Sequence, residues 1–145
     1  MELNSFKQKN VFEELDPSEL PKGRTVIPMK WVLTKKFDAN GEFRSYKARM
    51  ICQGLRQKPG MGYDPNNISS SVARLETLGA FIAIAASLNL GIRQADVSTA
   101  FFNAGIKGEI FVRPAEGIGL LAGVRSDTLW KLKKTVYGLK QSNKE

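Results

Sequence analysis

The chain has 145 residues, a net charge of +8 and no histidine. That length suits one domain, and the charge favours an anionic partner, with nucleic acid the commonest. Without histidine, Ser-His-Asp and Cys-His catalysis are excluded, and the single cysteine, Cys52, leaves neither an ordinary zinc site nor an internal disulfide. No apolar run reaches the length of about eighteen residues that a membrane helix needs, so no membrane partner is expected. The first residues lack an apolar signal core. A lone cysteine fits a reducing compartment, cytoplasmic or nuclear. Gly60-Met61-Gly62 lacks the Lys-Ser/Thr that would complete a phosphate loop of the Walker type.

In chain order, residues 1–24 read as an irregular lead-in punctuated by Pro17, Pro21 and Gly23, with a short helical turn around 18–20. Residues 30–37 read as a strand, Asp38-Ala39-Asn40-Gly41 as a turn, and residues 42–53 as the returning strand of a β-hairpin. Period-two alternation puts Tyr46, Ala48, Met50 and Cys52 on one face and Lys47, Arg49, Ile51 and Gln53 on the other. Lys47 and Arg49 therefore project together, either as a solvated surface or as a cationic grip on phosphates. Residues 54–71 read as loop, and Ser71 as the N-cap of a core helix over 72–88 whose stripe is Leu75, Leu78, Ile82, Ala85 and Leu88. A strand over 92–97 carries Asp96 near its end. A second strand follows over 109–113, then a Gly-rich loop over 115–126. A strand over 129–132 then turns into the start of a helix near 136–139.

Asp96 opens Asp96-Val97-Ser98-Thr99-Ala100-Phe101-Phe102-Asn103. A carboxylate at a strand tip is either a solvated turn former or a ligand for a hard cation such as Mg²⁺, which binds through one or two carboxylates plus substrate phosphates.

Six segments, in one order, resemble the reverse transcriptase of Copia-type LTR retrotransposons. They are Lys30-Trp31-Val32, Tyr46-Lys47-Ala48-Arg49, Val72-Ala73-Arg74-Leu75-Glu76-Thr77, the Asp96–Asn103 stretch, Val112-Arg113-Pro114-Ala115-Glu116-Gly117, and Leu132-Lys133-Lys134-Thr135-Val136-Tyr137-Gly138-Leu139-Lys140-Gln141. The resemblance implies an α+β fold: a fingers β-hairpin plus a partial palm of a right-hand polymerase. Residues 25–71 would be fingers-like and 72–145 a partial palm. It implies an RNA-directed DNA polymerase using Mg²⁺ or Mn²⁺, with RNA template, DNA primer and dNTP as partners alongside the rest of a polyprotein. By motif position, Asp96 would be a catalytic, metal-binding carboxylate. Lys47 and Arg49 would contact the triphosphate. Val97 would hold its backbone close to the triphosphate, Phe101 would pack under the sugar and exclude a 2′-hydroxyl, and Gln141 would line the nucleotide pocket.

The chain also departs from the family pattern. The Tyr-Val-Asp-Asp motif is absent, and the five aspartates include no Asp-Asp or Asp-x-Asp pair. Cys52-Gln53 stands for Ala-Lys, Ser71 for Pro, and Ser98 for Lys. The expectation is a polymerase fragment, inactive alone; the alternative is a non-catalytic, basic nucleic-acid-binding remnant of a decayed retroelement.

Overall fold

The hairpin is the local structure that needs least help from the rest of the chain. In the computed structural model, which describes residues 2–122, 125 and 127–144, β2 (Val26–Phe37) and β3 (Phe43–Cys52) pair antiparallel from Met29 opposite Cys52 to Lys36 opposite Ser45. Gly41 takes the positive φ (84°) that the turn requires. The Asp38 carboxylate accepts from the backbone N–H groups of Asn40 (2.9 Å) and Glu42 (3.0 Å). The side chain thus completes the turn much as a backbone carbonyl would.

The hairpin is anchored at one end only. The first three residues of β2 pair parallel with β4 (Phe111–Arg113), Val26 facing Phe111. Beyond them β2 leaves that pairing and runs out with β3. β5 (Leu129–Leu132) pairs antiparallel with β4 and with β1 (Phe12–Leu15), giving five strands in the order β1-β5-β4-β2-β3. Met50 and Cys52, at the inner end of β3, are buried, while residues 42–48 are exposed. The alternation read from sequence therefore becomes an inside and an outside only near the sheet. Further out, the hairpin is a two-stranded arm with solvent on both faces, and Leu33, Phe37, Phe43 and Tyr46 are exposed along it.

The core lies against the sheet. Phe6, Val11, Met50, Phe102, Val112, Trp130 and Val136 are fully buried. Phe12 stacks on Trp130 at 3.7 Å between ring centres, and Phe6 meets Phe102 edge-on at 4.5 Å. Each such side chain contributes about 1.5–3 kcal/mol by leaving water. Two of the buried residues, Phe6 and Val11, come from the stretch expected to be an irregular lead-in. That expectation is corrected: residues 2–24 supply α1 (Glu2–Gln8) and the edge strand β1. The short turn does form, as a 3-10 turn over Pro17–Glu19 closed by an Asp16/Glu19 capping box.

Four further expectations change. The helix α2 spans Leu75–Ser87, its N-cap is Arg74 rather than Ser71, and of its described residues only Ala85 is buried. Leu75, Leu78, Phe81, Ile82 and Ile84 all face solvent, so α2 is not the core helix its stripe suggests. Residues 92–97 form no strand. The Gly-rich loop contains a short helix, α3 (Ile118–Ala122), with Ile118 buried; Gly123, Val124 and Ser126 lie outside the described residues. Residues 136–139 form a turn, not the start of a helix. The Leu129–Leu132 strand and the strand ending at Arg113 are found where expected, the latter shortened to Phe111–Arg113.

Candidate functional site

Asp96 and Val97 lie exposed in the irregular stretch that follows α2. The chain then turns through Ser98 and Thr99 into a 3-10 turn over Ala100–Asn103. Thr99 sits at φ 51°, a left-handed conformation that a β-branched residue rarely adopts and that costs of order 1–3 kcal/mol. The turn beyond it is firmly held. The Thr135 hydroxyl donates to the Phe101 carbonyl. The Thr135 N–H donates to the Ala104 carbonyl at 3.0 Å, and Phe102 is buried beneath.

Phe101 and Arg49 come from separate motifs and meet at one ring. The Phe101 ring stands edge-on to Tyr137 at 4.9 Å, and the Arg49 guanidinium carbon lies 6.0 Å from the Tyr137 ring centre. The latter distance is at the outer limit of a cation–π contact. Lys47, two residues out along β3, is exposed on the arm. Arg49 is half-buried where the arm joins the sheet, so the two cations share a face but not an environment.

Gln141 is buried, and both ends of its amide are engaged. Its oxygen accepts from Gln57 Nε2 at 3.0 Å, and its nitrogen donates to the Gly62 carbonyl at 2.6 Å. Gln57, also buried, accepts the Lys140 backbone N–H at 2.8 Å. Lys140 Nζ reaches the Tyr63 hydroxyl at 2.9 Å. These contacts tie the 54–65 loop to the turn after Tyr137 and line one side of an open cleft of about 450 Å³, whose walls include Gly60, Tyr63, Asp64 and Lys107. The turn crosses β3 at Gly138, where Cys52 N–H donates to the Tyr137 carbonyl (2.8 Å) and Gly54 N–H to the Gly138 carbonyl (3.1 Å). Burial pushes the Cys52 thiol pKa up, so this cysteine is no nucleophile.

Among the described residues no three His, Cys, Asp or Glu side chains gather into a metal-holding group. One exposed carboxylate, Asp96, fits at most a shared, water-rich cation site. It does not fit the metal pair that clamps both oxygens of a phosphoryl displacement. Glu109, the carboxylate bonded to Lys131 (2.8 Å) and Arg24 (2.7 Å), is spent on those cations, which hold its pKa below the usual range, Lys131 the more strongly.

The sequence profile of the reverse transcriptase (RNA-dependent DNA polymerase) family matches residues 12–145. The chain belongs to that family. It is 34% identical over 144 residues to a retrovirus-related Pol polyprotein from transposon TNT 1-94 of Nicotiana tabacum, covering 99% of this chain and 10% of the relative. It is 31% identical over 141 residues to that of transposon RE2 of Arabidopsis thaliana (97% and 9%). Against the Ty1-ER2 Gag-Pol polyprotein of Saccharomyces cerevisiae it is 33% identical over 130 residues (90% and 6%). No solved structure matches. The expected Copia-type membership is therefore borne out, and the chain spans about a tenth or less of the length of these polyproteins.

Within the family frame, the sequence-derived candidates divide. Arg49 and Phe101 converge on Tyr137; Gln141 is placed in the cleft wall; Asp96, Val97 and Lys47 are exposed. Sequence reasoning gives no role to Tyr137, Gln57 or Gly138. Tyr137-Gly138 carries a signal, a glycine inside an otherwise apolar and basic segment. Gln57 carries none, because a lone glutamine in a loop reads as solvated.

Proposed function

We propose that this chain forms the nucleotide-facing part of a retroelement reverse transcriptase, the fingers hairpin and the first part of the palm. In this reading Asp96 is one of the carboxylates of the polymerase centre, whose remaining ligands are not among the described residues. Arg49 and Lys47 offer positive charge to the triphosphate, Arg49 through a planar fork that suits bidentate phosphate contact and Lys47 as a point charge. Phe101 forms the floor beneath the incoming sugar, Val97 holds its backbone close to the triphosphate, and Gln141 lines the pocket. The complete enzyme would act on an RNA template and DNA primer with dNTPs and Mg²⁺ or Mn²⁺.

The observation that carries the reading is the junction at Tyr137 within a chain whose residues 12–145 match the family. A cation and an aromatic platform brought to one ring are a suitable pair for a charged phosphate tail and a flat sugar face. The reading as a basic remnant rests on the same cations and gains no observation of its own.

The experiment is a chimera in which the family's downstream half, taken from a relative, follows Gln141. Phe101→Ala in that chimera should raise ribonucleotide incorporation relative to deoxyribonucleotide by roughly 10–200-fold, the range expected when one steric contact in a pocket is removed. Unchanged sugar selectivity in an active chimera would remove Phe101 from the pocket.

A further inference from the structure

Two glutamine amides stand in series between two backbone groups whose polarity is fixed. At one end the Lys140 peptide N–H can only donate; at the other the Gly62 carbonyl can only accept. Lys140 N–H donates to Gln57 Oε1 (2.8 Å), Gln57 Nε2 donates to Gln141 Oε1 (3.0 Å), and Gln141 Nε2 donates to the Gly62 carbonyl (2.6 Å). Amide oxygen and nitrogen are told apart by such networks. Here only one orientation of the two amides satisfies all three bonds. Turning either amide over sets like against like at two junctions. Both side chains are buried, at 4% exposure each, so a wrong orientation would leave polar atoms poorly paired.

We propose that Gln57 is a positioning residue that fixes the amide polarity of Gln141, with the Lys140 peptide as the origin of that polarity. Gln57 passes a donor from the Lys140 peptide on to Gln141, which leaves the nitrogen end of Gln141 turned to the wall that Gly62 forms in the open cleft. One Nε2 proton goes to Gly62; a ligand oxygen that reaches the other from the cleft would meet a donor, which suits a hydroxyl or phosphate oxygen and not an ammonium or amide N–H. Its bearing on nucleotide binding rests on the pocket role given to Gln141 above; the relay itself does not.

Side-chain amide NMR on the labelled 145-residue chain, without substrate, tests the relay independently of that role. The Gln141 side-chain amide protons should show contacts to Gly62 Hα, and should exchange at least about tenfold more slowly than those of exposed glutamines. In Gln57→Glu the ionised carboxylate, its ionisation read from the side-chain carboxyl carbon shift, still accepts from Lys140 but donates nothing, and its charge repels the Gln141 oxygen more than the Gly62 carbonyl does, so the Gln141 amide should turn over. Its contacts should move to the γ protons of the substituted side chain while the backbone amide spectrum of the sheet stays in place. If that variant does not fold, the wild-type contacts alone decide the polarity. Stronger contacts from the Gln141 amide protons to Gln57 than to Gly62 in the wild type, fast exchange, or an unmoved pattern in a folded Gln57→Glu with its carboxylate ionised would overturn the proposal. Loss of nucleotide selectivity in a chimera, or its absence, bears on the pocket and leaves these readouts unchanged.

Discussion

Gly138 sits where the turn after Tyr137 crosses β3, and its φ is 88°. A Cβ at this position would collide with the Cys52 carbonyl oxygen, a backbone atom that cannot step aside. Gly41 has nearly the same φ, 84°, but open space around it. The comparison separates conformational cost from collision. Gly41→Ala should cost about 1–2 kcal/mol, the left-handed penalty alone. Gly138→Ala should cost more than about 3 kcal/mol, because the crossing of the turn over β3 must open. Chemical denaturation of both variants against the parent measures this. Equal costs would mean that the close approach at Gly138 does not exist in solution.

At the scale of elements, the hairpin is legible because its determinants are local. Asp38 and Gly41 make the turn, alternation makes the strands, and both are read without knowing the rest of the fold. β1 is not legible, because Phe12-Glu13-Glu14-Leu15 becomes a strand only by lying beside β5, with Phe12 stacked on Trp130. The α2 stripe reads as core because apolar spacing reports what a helix is able to bury, not whether a partner is present. The Asp96 stretch reads as a strand from the same kind of pattern, and among the described residues it pairs with no neighbour. Of the candidate site, residue identities are legible through motif order. The meeting of Arg49 and Phe101 at Tyr137 is not, because it depends on the fold bringing three distant segments together.

The arm carries an expectation of its own. Lys35, Lys36, Arg44 and Lys47 are all exposed on it, so it offers cations to a polyanion. If about four phosphates are neutralised, the logarithm of the binding constant for RNA or DNA should fall with the logarithm of salt concentration with a slope of roughly −3 to −4. Lys47→Ala with Arg49→Ala should flatten that slope. Affinity indifferent to salt would rule out the arm as a phosphate-binding element.

At the scale of the whole molecule, two regions differ in how well they are covered. The sheet core is closed around Trp130, which is fully buried and stacked, so near-ultraviolet dichroism should be well developed and not the faint signal of a loosely packed chain. The α2 region is the reverse: Leu75, Leu78, Phe81, Ile82, Ile84, Leu88, Leu90 and Ile92 are exposed within one stretch of chain. Apolar surface of that extent promotes association. Sedimentation should show concentration-dependent self-association, and the dye ANS should bind. Replacing Leu78 and Ile82 by glutamate should suppress both while leaving the tryptophan dichroism intact. A monomer at all concentrations, silent to ANS, would mean that α2 is covered in solution.

In the proposed reading Asp96 belongs to the centre of a polymerase of which this chain supplies a part. Template-dependent primer extension measures it most directly, on three samples: the 145-residue chain, the chimera completed with a relative's downstream half, and the chimera carrying Asp96→Asn. The chain alone should give no extension with Mg²⁺ or Mn²⁺, since a single carboxylate does not hold the metal pair. The completed chimera should extend the primer, and Asp96→Asn should lower its rate by about a thousandfold or more with folding unchanged. Extension by the 145-residue chain, or an Asp96→Asn chimera working at the parent rate, would contradict the account.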